Sequence, residues 1–138
     1  FRIPKNEDVL RQGGWNYRLP IKWYKSVISK IMSVSNIPIY IFSDVDDAEI
    51  KDILEIENCR RAFFGSSISD MLALSNAKVL VSSGSTFSMW SSFLGQIPTI
   101  WFPGQMRQKL ISDSSIFEGE IDYDDQLPVS IIKILNNA

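Results

Sequence analysis

The stretch Val79-Leu80-Val81-Ser82-Ser83-Gly84-Ser85-Thr86-Phe87-Ser88-Met89-Trp90 holds one whole repeat of the architecture. Three consecutive apolar residues read as a strand buried on both faces, because a strand with one wet face would alternate. A small, hydroxyl-rich turn follows, and Phe87 to Leu94 then reads as a helix that stops near Gly95. Gly84 would let backbone approach a ligand closely in that turn. Ser85 and Thr86 would place hydroxyls and unpaired N–H groups at a helix N-terminus, where an anion meets both donors and the helix dipole. A single helix cap explains one hydroxyl. It does not explain four Ser/Thr residues between Ser82 and Thr86.

Working outward, the same alternation recurs. On the N-terminal side, Ile37 to Phe42 is a continuous apolar run, expected as a strand covered on both faces and ended by Ser43-Asp44. Asp46-Asp47 then starts a helix carrying Ile50, Ile53, Leu54 and Ile56, its acids favourably placed at the positive end of the dipole. Ala62 to Phe64 reads as a short strand, and Ser67 through Asp70 as a capping box ahead of Met71, Leu72 and Leu74. Earlier still, Pro20 opens a helix with Ile21, Tyr24, Val27, Ile28 and Ile31 at helical spacing. Before it lies a long polar stretch with Pro4, Gly13 and Gly14, a candidate binding loop in which Trp15 is the aromatic contact residue. Arg2-Ile3 reads as the end of a first strand. On the C-terminal side, Ile97 to Phe102 is a strand in which Pro98 marks an edge or a start, and Leu127 to Leu135 is an apolar helix. Trp23, Tyr24, Trp90 and Trp101 sit at helical or strand positions and are expected to pack in the core.

Alternating strands and helices predict an α/β fold: one Rossmann-like domain over residues 1–138, a parallel sheet with helices on both faces. Ligands of such sheets bind outside the carboxyl ends of the strands. That rule selects Arg2 onwards, Ser43-Asp44, Gly65 to Asp70, and Ser82 to Ser88.

Composition narrows the chemistry. The 138 residues are 45% hydrophobic and 22% charged, with 7 Gly and 6 Pro, which excludes disordered and fibrous classes. A net charge of −2 argues against nucleic acid as a partner, since no positive excess is left to neutralise phosphates. No apolar run approaches the roughly 20 residues of a membrane span. The absence of histidine excludes Ser-His-Asp and Cys-His pairs and His-containing metal motifs within the chain. The single cysteine, Cys59, excludes an internal disulfide and fits a reducing, cytoplasmic compartment, with peripheral membrane attachment compatible. The chain begins at Phe1 without Met, and the expectation is a piece of a longer protein with functional residues upstream.

Ser83-Gly84-Ser85-Thr86-Phe87-Ser88 followed by Met89-Trp90 resembles the C-terminal motif of GDP-fucose-dependent fucosyltransferases, the α-1,2/α-1,6 and protein O-fucosyltransferase superfamily. Phe1-Arg2 is similar to the tail of that family's His-x-Arg motif, whose arginine holds the donor diphosphate. Ile41-Phe42-Ser43-Asp44 resembles its strand ending in Ser/Thr-Asp-Asp. In this superfamily an aspartate ahead of the serine motif contacts guanine, and Asp70 holds that place. Its carboxylate could accept from guanine N1–H and the exocyclic amine together. Two positions depart from the pattern: Ile3-Pro4 replaces a basic-polar continuation, and Val45 replaces the second aspartate.

The resemblance spans almost the whole chain and implies the donor-binding half of a GT-B-like architecture. It implies transfer of fucose, or a related sugar, from a GDP-sugar to a glycan acceptor with inversion, without a metal or other cofactor. Arg2 and Asp44 would be the catalytic pair, Arg2 neutralising the leaving diphosphate and Asp44 serving as a structural or arginine-orienting carboxylate. Arg2, Asp70, Ser83, Ser85, Thr86 and Phe87 would bind the donor.

Two other readings are open. Asp44-Val45-Asp46 after a strand is similar to the Asp-x-Asp of haloacid-dehalogenase-type, Mg²⁺-dependent phosphatases, with Asp122, Asp124 and Asp125 as further metal ligands. Against it, Asp44 lies a third of the way along the chain, Ala48 stands where Thr or Val is usual, and no convincing strand precedes Asp122. A non-catalytic nucleotide-binding module is the other reading. The Asp122 to Asp125 run is otherwise expected as a solvated turn.

Overall fold

The computed structural model describes residues 7–14 and 17–137. The expected strand end at Arg2-Ile3 and the candidate contact residue Trp15 lie outside the described residues. The polar stretch read as a binding loop is not wholly a loop: Glu7–Arg11 forms helix α1. Its acids occupy the first turn and its arginine the last, in accord with the dipole, and Leu10 is buried beneath it.

Helix α2, Ile21–Met32, starts after Pro20 as expected and buries Trp23, Val27, Ile28 and Ile31 along one stripe. Strand β1 (Ile39–Ile41) leads through a 3-10 turn at Asp47–Ile50 into the short helix α3 (Lys51–Leu54). Then come β2 (Cys59–Arg61), α4 (Ser67–Ser75), β3 (Leu80–Val81), α5 (Thr86–Gly95), β4 (Thr99–Trp101), β5 (Glu118–Glu120) and α6 (Val129–Asn136). Among the described residues pairing is parallel: β1 with β2, β3 with β4, and β4 with β5. The chain is therefore a mixed α/β protein. Among the described residues the strands form two ladders, β1-β2 and β3-β4-β5. No described helix is long and apolar enough to cross a membrane.

Strand β4 shows how the layers are built. Ile100 and Phe102 join a core cluster with Trp23, Val27, Ile31, Ile131 and Leu135. The Trp23 ring meets Phe102 edge-on at 5.3 Å, and its Nε1 donates to the Ile121 carbonyl at 2.8 Å. Neighbouring strand residues point to opposite faces. Thr99 accordingly looks the other way, its Oγ1 2.8 Å from Ser92 Oγ of α5. Helices thus cover both faces of β4, and Pro98 precedes the strand, where its carbonyl still accepts from Leu80 N–H.

Three strands depart from expectation. The strand sought at Ala62 to Phe64 lies three residues earlier, at Cys59–Arg61, where Asn58 turns the chain with φ 67°. Charged Arg60 and Arg61 concealed it, because an edge strand tolerates charge. In β1 Tyr40 is half exposed, so this strand is not covered on both faces. Strand β5, Glu-Gly-Glu, carries no apolar pattern. Its Glu118 is buried because the carboxylate accepts from the Leu110 N–H at 2.7 Å and from that of Ile111.

Candidate functional site

The serine turn begins where Ser82 leaves β3, its N–H donating to the Ile100 carbonyl. Ser82 is buried; its Oγ accepts from Gly84 N–H at 3.0 Å and lies 2.9 Å from Ser88 Oγ. Ser85 is the N-cap of α5, its Oγ accepting from Ser88 N–H at 3.2 Å. Ser83 Oγ donates to Ser85 Oγ at 3.0 Å, and Ser88 Oγ donates to the Ser85 carbonyl at 2.9 Å. Part of the hydroxyl excess is therefore internal bracing, with Ser82 and Ser88 binding strand end to helix start. Ser83, Ser85 and Thr86 are exposed and Phe87 is half-buried. Helix geometry leaves the N–H groups of Thr86 and Phe87 without an intrahelical acceptor.

Gly84 has φ 76°, a left-handed conformation that favours glycine, and a Cβ there would stand 3.2 Å from Gln105 Oε1. Gln105 turns its Nε2 away, donating to the carbonyls of Leu10 at 2.7 Å and Gly14 at 2.9 Å. Arg107 Nη2 donates to the Gly13 carbonyl at 2.7 Å. The Gly13-Gly14 pair and the serine turn are thereby brought together, with Gln105 between them. Neither Gln105 nor Arg107 was a candidate from the sequence. The signal was present: Pro103-Gly104-Gln105 follows the carboxyl end of a strand, the same position that selected the serine turn.

The other candidates are placed apart or lie beyond description. Arg2 is outside the described residues. Asp70 lies in the first turn of α4, but the cap is Ser66, whose Oγ accepts from Ser69 N–H at 3.1 Å. The expected capping box at Ser67 to Asp70 is thus displaced by one residue. Asp70 Oδ1 instead accepts from Phe64 N–H at 2.7 Å and closes the loop that follows β2. Asp44 is exposed and lines a separate recess of about 200 Å³ with Val45, Asp46 and Glu49. Arg61 of β2 fixes the backbone of that loop, donating from Nη1 to the Ser43 carbonyl at 2.8 Å and from Nη2 to that of Val45.

Asp122 does follow a strand, β5, contrary to expectation. Its carboxylate is held in a forked pair by Arg11, with Nη2 to Oδ1 at 2.9 Å. This hydrogen bonding draws the Asp122 pKa below the usual carboxylate range against the opposing effect of burial. Asp125 Oδ2 accepts from Asp122 N–H at 2.8 Å, so the acidic run is a braced turn rather than a simply solvated one. Among the described residues no group of three or more His, Cys, Asp or Glu is arranged to hold a metal ion. Burial pushes the Cys59 thiol pKa up, away from the reactive thiolate. Trp101, expected in the core, is there, with Nε1 buried and lacking a hydrogen-bond partner. No family model, curated protein or solved structure matches the chain.

Proposed function

We propose that this chain is the donor-binding domain of a glycosyltransferase that uses a GDP-sugar, with GDP-fucose the reading favoured by the resemblance of the serine motif. The observation that carries the proposal is the Ser85-capped start of α5 at the carboxyl end of β3, where Gly84 lies beside Gln105, whose Nε2 donates to the Gly14 carbonyl. Exposed hydroxyls, free helix N–H groups and a close-approach glycine are what a diphosphate requires.

The strand order supports a Rossmann-like, GT-B-type half. In one ladder the chain steps from β1 to β2, and in the other from β3 through β4 to β5. In the proposed doubly wound arrangement β1 would lie beside β3, and ligands of such sheets collect at the crevice where the winding changes direction. The serine turn stands at the end of β3 and Asp44 after β1.

In the proposed reaction the bond from the anomeric carbon to the diphosphate oxygen breaks as an acceptor hydroxyl attacks the opposite face, its proton passing to water. Negative charge grows on the departing GDP, and donors fixed in advance lower the barrier most where that charge develops. Ser83, Ser85, Thr86 and the Phe87 N–H would supply those donors, with Arg2 providing permanent charge and Asp44 orienting it. Asp70 would read guanine through the oxygen that does not serve Phe64.

Calorimetric titration with GDP, ADP and UDP tests this reading. GDP should bind well ahead of the other two. Asp70→Asn keeps an oxygen for the Phe64 N–H but loses the carboxylate, and should weaken GDP by on the order of 1–3 kcal/mol, as for a charged hydrogen bond. Equal affinity for the three nucleotides would remove the guanine assignment. Mg²⁺-dependent release of phosphate from a generic ester, abolished by Asp44→Asn, would favour a phosphatase instead.

A further inference from the structure

The two faces of α5 are inverted relative to a helix that covers a sheet. Ser88, Ser91 and Ser92 are buried, while Trp90, Phe93 and Leu94 are exposed. The neighbouring helix behaves alike: α4 has no fully buried residue and exposes Ile68 and Leu72. The two helices pack side by side, close enough that a Cβ on Gly95 would collide with the Ser75 carbonyl. The five outward side chains are between 49% and 72% exposed. Together they offer on the order of 600 Å² of mainly apolar surface, at the top of the range for the largest patch on a monomer. Trp90 and Phe93 meet edge-on at 5.8 Å beside a groove of about 240 Å³, which Thr86, Met89, Phe93 and Leu110 also line.

We propose that this face is the contact surface of a homodimer, in which two copies of the chain meet about a two-fold axis. A stable interface needs roughly 800 Å² from each partner, and the five side chains with their polar surround approach that area. Trp, Phe and Met at the centre, with charge excluded, is the composition of an interface core. Asp70 is the one ionisable side chain on α4 and α5, and it lies in the first turn of α4, bound to Phe64 N–H. Identical faces so nearly uncharged can meet without like-charge repulsion, although each copy carries a net charge of −2. Ile68 and Leu72 of α4 are the aliphatic side chains that would lie against Trp90 and Phe93 of the second copy. A membrane surface would instead call for basic residues along the helices, and α4 and α5 have none.

Sedimentation velocity of this chain from low to high micromolar concentration tests the proposal. A concentration-dependent dimer is expected, and Phe93→Glu and Leu72→Glu should each raise its dissociation constant by at least about tenfold. Both positions are exposed, so circular dichroism melts should remain close to those of the parent chain; should one variant unfold, the other decides. A chain that stays monomeric at every concentration overturns the proposal, including one whose face is taken by vesicles or by a different protein. A dimer indifferent to the folded variants overturns it equally.

Discussion

Ser82 Oγ and Ser88 Oγ lie 2.9 Å apart in the interior, tying the last residue before the turn to the first turn of α5. This pair makes the serine motif partly a structural joint. Ser82→Ala would leave the Gly84 N–H and the Ser88 hydroxyl each short of a partner, and should cost about 1–3 kcal/mol. Ser83→Ala, at an exposed position, should cost less than about 0.5 kcal/mol. Urea unfolding of both variants checks the contrast, and equal costs would mean that the buried pair contributes nothing special.

Ser85 and Thr86 are adjacent and should separate cleanly in experiment. Ser85 caps α5 through Ser88 N–H, so Ser85→Ala should lose about 1 kcal/mol of stability. Thr86 is exposed in the first turn, and Thr86→Ala should leave stability nearly unchanged. If the turn cradles a diphosphate, both variants should weaken GDP while leaving guanosine, which lacks phosphates, almost untouched. Paired titrations with the two ligands decide. A loss shared equally by GDP and guanosine would move the phosphates elsewhere.

Gly95 is required by proximity rather than by conformation. The left-handed residue that ends α5 is Gln96, φ 47°, whereas a Cβ on Gly95 would come within 2.1 Å of the Ser75 carbonyl oxygen. Backbone cannot yield as a flexible side chain would, so Gly95→Ala should destabilise by about 1–3 kcal/mol or more. A thermal melt unaffected by this change would show that α4 and α5 are not packed this closely.

Acid should loosen the attachment of α1. The Arg11 guanidinium holds Asp122 below the usual carboxylate range, and Glu7 is lowered chiefly by its hydrogen bond from Lys22, with burial opposing and the Tyr123 hydroxyl assisting. Carboxylates lowered in the folded state add stability above their unfolded pKa values, near 4, and that stability disappears as pH falls through the folded values. Both groups are partly solvated, so the contribution is modest, about 1 kcal/mol for the Arg11–Asp122 fork. Asp122→Asn should be less stable than the parent at pH 7, and the two should converge between about pH 5 and pH 2. Denaturation midpoints across that range test it; parallel curves would refute the linkage.

The elements that were legible in the sequence are those whose burial matches their periodicity. Helix α2 shows its stripe from Trp23 to Ile31, and β3 and β4 were found because apolar runs mark buried strands. Strands β2 and β5 were hidden for one reason: Arg61 and Glu118 each use a charged side chain to satisfy backbone elsewhere, which no hydrophobic pattern records. In the candidate site, the turn from Ser82 to Thr86 was readable from its hydroxyls. For Gln105 only its place after the carboxyl end of a strand was readable; its contacts with Leu10 and Gly14, remote in sequence, were not. The apolar residues of α5 were misleading in the opposite sense: Trp90 suggests core by spacing, yet the core side of that helix is serine.

The route from β4 to β5 has a consequence for how the protein opens. No helix forms this parallel crossover; instead, side chains from the strand it leads to hold it. Glu118 receives the N–H groups of Leu110 and Ile111, while Glu120 receives those of Gly104 and Met106. Gln96 Oε1 accepts the N–H of Ser112, adding a tie from the end of α5. Amide hydrogens in this irregular segment should therefore exchange slowly and as a set, with lifetimes governed by detachment of β5 rather than by local fraying. Glu118→Gln should hasten exchange at Leu110 and Ile111 together and turn the segment into the preferred site of limited proteolysis.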